Sequence, residues 1–367
     1  MSKLMIEDTD GVLAMLQESV QSFSEKYPGP KGLRNIRNSG QGLDKAQWQA
    51  MIEAGWIGLL LPETLGGSGL SLREQVVISH ALGEALIVSP MVTASVLTSV
   101  LLAESDVSLE RSRLASDMIT GKALVIPAIN HVLQAQKQDD GFYITGCCEY
   151  LDAGCQATDF IVLAQDDTQH YLLSISAQDV QNFRTDRPAV DGTILSSLQL
   201  EQFTVAADQV LASGNLDQQI QYALDMARLA LSAELAGLAS KSFLLTSEYT
   251  QQRIQFGKPI ASFQVIQHRL VDMWAKAEFA CASIDNAIEC LALQDSSKTH
   301  MAILAAKIRC SDAATGIGRQ AVHLFGAMGF TDECDIGLYL KRSINLAASL
   351  GDAEKLRMQF IAMERAA

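Results

Sequence analysis

The sequence predicts an α+β chain: an N-terminal α-helical domain over residues 1–122, a middle antiparallel β-domain over 123–213, and a C-terminal four-helix bundle over 214–367. Three observations predict it. Apolar residues recur at helical spacing in the first region. Short β-branched runs bounded by turn residues fill the second. Long segments that are apolar on more than one face fill the third.

Taken in order, "DKAQWQAMIEAGWIGLLL" and "LREQVVISHALGEAL" carry helical spacing, and "RSRLASDMITG" ends in a glycine stop. Between the first two lies "PETLGGSGLS", a loop by its proline and glycines. From Ala123 to Leu211 the runs "ALVIPAI", "GFYITG", "DFIVLAQ", "HYLLSIS" and "SSLQLEQFTVAAD" read as strands. From Leu216 onward the helical texture returns in "QYALDMARLALSAELAGLASKSFLLTSEYTQQR", "FQVIQHRLVDMWAKAEFACASIDNAIECLALQ" and "THMAILAAKIRCSDAATGIGRQAVHLF". All-round apolarity at that length suggests a bundle core that also packs against another subunit.

Of the 367 residues, 48% are hydrophobic, ample for a large core. The net charge of −14 lacks the basic footprint of a nucleic-acid binder. The start, "MSKLMIEDTDGVLAML", has no apolar run of a signal peptide, and "MVTASVLTSVLLAES" is too short and polar to span a bilayer, so a cytoplasmic location with no membrane span is expected. The seven cysteines have no CxxC spacing and the six histidines are scattered, so neither a disulfide framework nor a metal site is expected.

The stretch "SEYTQQRIQFGKPIASFQVIQHRLVDM" reads as a helix, a tight break at Gly257-Lys258-Pro259, and a second helix. Arg253 ends the first helix, near Phe256. By itself it is either surface charge or part of an anion site; Phe256 and Phe263 are either packing or binding residues.

Three blocks decide between these. "GWIGLLLPETLGGSGLS", "RIQFGKPIASFQ" and "HLFGAMGFTDECDIGLYLKR" resemble, in order and spacing, blocks of the acyl-CoA dehydrogenase family, and the resemblance covers essentially the whole chain. It implies FAD as cofactor, an acyl-CoA substrate, α,β-dehydrogenation, and electron-transfer flavoprotein or a similar acceptor. It also implies that Arg253 holds the pyrophosphate of a FAD shared with the neighbouring subunit. That is a fitting task for a planar, permanently charged guanidinium. Gln255, Phe256, Phe263 and Gln264 match neighbouring cofactor-contact positions. In the third block His323, Gly326 and Ala327 stand where the family has a glutamine and two glycines that let the backbone approach the adenine end.

Elsewhere the pattern breaks. The family's catalytic glutamate occupies one of two positions, and ungapped counting places Ala227 at one and Leu350, before Gly351, at the other. Neither accepts a proton. Glu234 lies two turns beyond Ala227, about 10 Å along the axis, and Asp352 has a short side chain; a paired or solvated carboxylate is the alternative for both. "ALVIPAINHVLQAQKQDDG" lacks the family's flavin-lining motif, and the family's Trp-Ile-Thr falls at Tyr150, Leu151 and Asp152. A carboxylate near flavin N5 would oppose the charge that accumulates there. With the arginine block intact and the base lost, the resemblance narrows to the base-lacking subunit of heteromeric (α2β2) steroid-type acyl-CoA dehydrogenases, with a homologous subunit as partner and a bulky acyl-CoA, such as a steroid-derived one, as substrate. Two alternatives stay open: a self-sufficient homotetrameric enzyme with an unrecognised base, and a non-enzymatic, FAD-free homologue.

Overall fold

The computed structural model describes residues 2–366. The helices are α1 (Val12–Lys26), α2 (Gly29–Ser39), α3 (Lys45–Glu53), α4 (Leu72–Glu84), α5 (Thr98–Ala103, preceded by a π-helical turn), α6 (Leu109–Ile119), α7 (Asp217–Gln252), α8 (Gln264–Ala292), α9 (Ser296–Phe325), α10 (Ile336–Ala348) and α11 (Ala353–Ala366). Seven strands lie between α6 and α7: β1 (Val125–Gln138), β2 (Gly141–Asp152), β3 (Asp159–Gln165), β4 (His170–Ser176), β5 (Arg184–Pro188), β6 (Ile194–Ala206) and β7 (Val210–Gly214). Two short ones, β8 (Ile254–Gln255) and β9 (Lys258–Pro259), join α7 to α8. The chain divides into two compact units. One comprises the N-terminal segment through Leu33, Leu72–Val88 and everything from Arg228 onward; the other comprises Arg34–Ser71 and Ser89–Ala227.

In the second unit the strands form one sheet in the order β5-β6-β2-β1-β3-β4-β7. The antiparallel expectation holds for every neighbouring pair but one: β1 and β3 run parallel. The physical reason is the route of the chain. The β1–β2 hairpin takes one side of β1, and the chain then crosses through a 3-10 turn at Gly154–Gln156 to reach the other side in the original direction. β3, inside the sheet between β1 and β4, is buried almost throughout, which accounts for its unbroken apolar run. β5 forms one edge and is the charged run "RTDRP" ending in proline, a sequence that resists further pairing. The loop after α3 folds back on itself: the Ser68, Gly69 and Leu70 amides donate to the carbonyls of Gly58, Leu61 and Leu59 at 3.0, 2.9 and 3.0 Å. A Cβ at Gly67 would lie 2.1 Å from the Leu61 carbonyl oxygen, so only glycine permits that fold-back.

In the first unit α7 is buried all round from Leu229 to Ala239, as its two-faced apolarity predicts. α4 crosses it backbone to backbone. A Cβ at Gly83 would lie 2.1 Å from the Glu234 carbonyl oxygen, and one at Gly237 would lie 2.0 Å from that of His80. The bundle also buries a lysine with its partners. Lys307 of α9 donates to Ser311 Oγ (3.0 Å) and to the carbonyls of Leu346 (3.2 Å) and Ala347 (3.1 Å), satisfying orphan acceptors at the C-terminus of α10. Burial pulls the Lys307 ammonium down to about 7. α7 is long and apolar enough to cross a membrane by length and composition, but 78% of that window is buried within the protein, as in a core helix.

Candidate functional site

The site grows from the end of α7. The Arg253 amide donates to the Tyr249 carbonyl at 2.9 Å, closing the last helical turn. β8 and β9 then pair as a minimal hairpin, Ile254 opposite Pro259 and Gln255 opposite Lys258, with Phe256 (φ 52°) and Gly257 (φ 78°) at its tip. Positive φ at both central residues is the hairpin turn whose twist matches its strands. Glycine takes that conformation freely; a phenylalanine does not. Phe256 nevertheless holds it with 91% of its surface exposed. Strain at an exposed aromatic points to a role outside the chain's own core. Phe263 packs edge-on to Phe256 at 6.1 Å and lies 4.4 Å from the Lys258 ammonium, and Gln264 opens α8, exposed. The Arg253 guanidinium is exposed and has no carboxylate partner among the described residues.

The second block arrives at the same end of the bundle. Tyr249, one turn before Arg253, stacks on Phe325 at the end of α9 (4.1 Å, 11° between planes), and its hydroxyl donates to the Phe325 carbonyl at 3.3 Å. Immediately beyond are Gly326 (φ 67°) and Ala327, both exposed, and a Cβ at Gly326 would meet nothing within 4 Å. The backbone there is open to approach from outside. Gly329, two residues past Ala327, is the one packed tightly, with a Cβ position 2.5 Å from the Val322 carbonyl oxygen. His323 is exposed and its Nδ1 lies 3.1 Å from Arg269 Nη1. A guanidinium only donates, so Nδ1 accepts and Nε2 is left to carry the proton as a donor. All eight sequence-predicted contact residues therefore share one end of the bundle. Tyr249 and Arg269, which tie the two blocks together, lie in the same stretch but carry no sequence signal beyond an aromatic one turn from Arg253.

Ala227 and Leu350 stand where the resemblance implies a base, and neither side chain accepts a proton. Ala227 is fully buried, and Leu350 sits at φ 56° before Gly351 with its carbonyl accepting from Arg228 Nε at 2.9 Å. Glu234 is paired rather than solvated: its Oε1 accepts from Arg342 Nε (3.0 Å) and Nη2 (2.9 Å), and both side chains are buried. Asp352 caps α11, its Oδ1 accepting from the Lys355 amide at 3.0 Å, and that bond holds its carboxyl below the usual range. A general base needs a lone pair facing its substrate; Glu234 is held by a buried arginine, and Asp352 is occupied at Oδ1 by the first turn of α11. On β2, a register shift between Cys148 and Leu151 turns Tyr150 outward at φ 60° with 71% exposure, while Leu151 is buried and Asp152 half-buried.

Residues 13–106 match the family model for the acyl-CoA dehydrogenase N-terminal domain, and residues 218–363 match that for its C-terminal domain. The chain belongs to the acyl-CoA dehydrogenase family. Members are FAD-dependent oxidoreductases that dehydrogenate acyl-CoA thioesters. Among relatives, acyl-CoA dehydrogenase IpdE2 of Mycolicibacterium smegmatis is 28% identical over 347 residues, covering 94% of this chain and 96% of that protein. Among solved structures, the ChsE4–ChsE5 complex from Mycobacterium tuberculosis superposes with a TM-score of 0.89 at 22% identity, covering 99% of each chain. The steroid acyl-CoA dehydrogenase Tcur3481–Tcur3483 superposes at 0.85 with 23% identity, over 97% of this chain and 99% of its own. These two share the acyl-CoA dehydrogenase fold with this chain.

Proposed function

We propose that this chain is the base-lacking subunit of a heteromeric acyl-CoA dehydrogenase that acts in the cytoplasm on a bulky, steroid-derived acyl-CoA. The observation that carries this reading is an asymmetry. An exposed, unpaired arginine on a strained hairpin lies beside open backbone, while both candidate base positions are apolar and both nearby carboxylates are engaged elsewhere. FAD, when bound, supplies the hydride acceptor. The residues of 214–367 hold its pyrophosphate and adenine end and carry the oligomer contacts. Arg253 donates to the pyrophosphate. Gln255, Gln264 and His323 donate to polar atoms, and Phe256 and Phe263 shield the site from water. Gly326 and Ala327 let the cofactor reach the backbone. The homologous partner supplies the glutamate and the flavin surface, and electron-transfer flavoprotein takes the electrons.

Support also comes from the two heteromeric assemblies of the same fold. The test is α-proton exchange of the acyl-CoA in deuterated buffer, which reports deprotonation without hydride transfer. The isolated chain should show none, and the complex with its partner should show both exchange and turnover. Exchange by the isolated chain would instead make it a self-sufficient enzyme.

A further inference from the structure

Arg269 of α8 and His323 of α9 meet across 54 residues of chain, Nη1 lying 3.1 Å from Nδ1. Arg269 is half-buried and meets no carboxylate among the described residues, so its guanidinium is spent on an imidazole nitrogen. An arginine drawn partly out of water is ordinarily matched to a carboxylate or a phosphate. The backbone of His323 is held as well. The Gly326 amide donates to the His323 carbonyl, which ties the residue to the open turn at Gly326 and Ala327. Ring and backbone are therefore both fixed. What remains free, on an exposed side chain beside backbone that a ligand can approach, is Nε2.

An unrestrained neutral imidazole exchanges its tautomers, so either nitrogen can donate or accept. A guanidinium has no lone pair to offer. With Arg269 at Nδ1, the ring keeps its proton on Nε2 and presents only a donor to a ligand. The cation also draws electron density across the ring, which strengthens Nε2–H as linked hydrogen bonds strengthen one another. We infer that Arg269 is a positioning residue of the cofactor site. It makes His323 an obligate, polarised donor, so the dinucleotide atom that His323 meets carries an acceptor lone pair, as a phosphoryl oxygen or a purine ring nitrogen does and an amino group does not. The glutamine that the family has at this position carries both an oxygen and an amide nitrogen and can meet either kind of atom. The Arg269–His323 pair narrows that choice, and holding the donor in place beforehand lowers the cost of ordering it on binding. This rests on the FAD reading above and adds a residue that acts through another.

The experiment uses the complex of this chain with its homologous subunit, stripped of flavin and titrated with FAD by flavin fluorescence. Arg269→Met should leave circular dichroism unchanged, because the arginine holds no ion pair, and should raise the FAD dissociation constant about tenfold, as the loss of one polarised hydrogen bond does. Arg269→Lys keeps a donor and should recover most of that loss. In a His323→Gln background the amide donates without help, so adding Arg269→Met should raise the constant no further. A cation acting directly on the cofactor, or one that only supports the fold, would cost the same in both backgrounds. Equal losses in the two backgrounds, or no loss in either, overturn the inference. Pyrophosphate and adenosine, each titrated as a competitor of FAD, separate the two kinds of acceptor: Arg269→Met weakens whichever one carries it, and weakening of neither overturns the inference. FAD binding that falls with Arg253→Ala but not with Arg269→Met overturns this inference alone. A complex that binds no FAD overturns the FAD reading together with it.

Discussion

Replacing Glu234 by glutamine separates a structural carboxylate from a catalytic one. Arg342 keeps 2% of its side-chain surface exposed, and its Nε and Nη2 both donate to Glu234 Oε1. Glu234→Gln leaves an oxygen to accept but removes the compensating charge from a guanidinium that cannot reach water. Breaking such a buried pair costs about 3–5 kcal/mol. For a unit of this size each kcal/mol lowers the melting temperature by roughly 2–4 °C, so a fall of roughly 6–20 °C is expected, with glutamine at the low end. Arg342→Met should fall further, because it strands the carboxylate. The double variant should cost less than the two singles added, since contacting residues couple. Below its transition, the Glu234→Gln complex should turn over acyl-CoA within several-fold of wild type. The reasoning is refuted by a Glu234→Gln complex that melts with wild type, keeps its FAD, and loses α-proton exchange. Glu234 would then be the base.

Other outcomes follow from the same geometry. Arg253→Ala should lower flavin content after gel filtration with little change in melting temperature, because an exposed arginine without an ion pair contributes little to stability; unchanged flavin would make Arg253 mere surface charge. Gly83→Ala should destabilise by about 1–3 kcal/mol or more, since its Cβ has only 2.1 Å to the Glu234 carbonyl oxygen; denaturant unfolding within error of wild type would contradict the close crossing of α4 and α7. Asp352→Asn, made in the complex, should leave turnover within several-fold of wild type, since its carboxylate caps α11; joint loss of exchange and turnover with FAD still bound would restore it as a base. Lys307 has a folded pKa of about 7 against 10.5 for the free side chain. The unfolded chain thus binds the proton more tightly, and stability should rise with pH between about 7 and 10.5. Comparison with Lys307→Met at pH 7 and 9.5 isolates that slope, and equal slopes in the two proteins would count against it.

What the sequence made legible was what short-range pattern encodes. The strand runs, the all-round apolarity of α7 and the break after Arg253 each follow from residues within one turn or one strand of each other. The parallel pairing of β1 with β3 did not, because direction depends on where the chain crosses after β2, and alternation looks the same either way. Nor did the fate of Glu234: its partner Arg342 is over a hundred residues distant, and no local pattern distinguishes a carboxylate with a buried arginine from one in solvent. Gly83 and Gly237 sat inside helical runs where glycine is a weak choice; the close crossing that demands them is visible only once both helices are placed.

The central claim is that this chain holds a cofactor whose flavin is served by another. The most direct measurement is the ratio of FAD to protein in the purified complex, from flavin absorbance and quantitative amino-acid analysis. The account predicts about one FAD per two chains, and a flavin-poor protein when this chain is made alone, an expectation that follows from its two apolar base positions and unpaired Arg253. One FAD per chain in a homo-oligomer of this protein would contradict it.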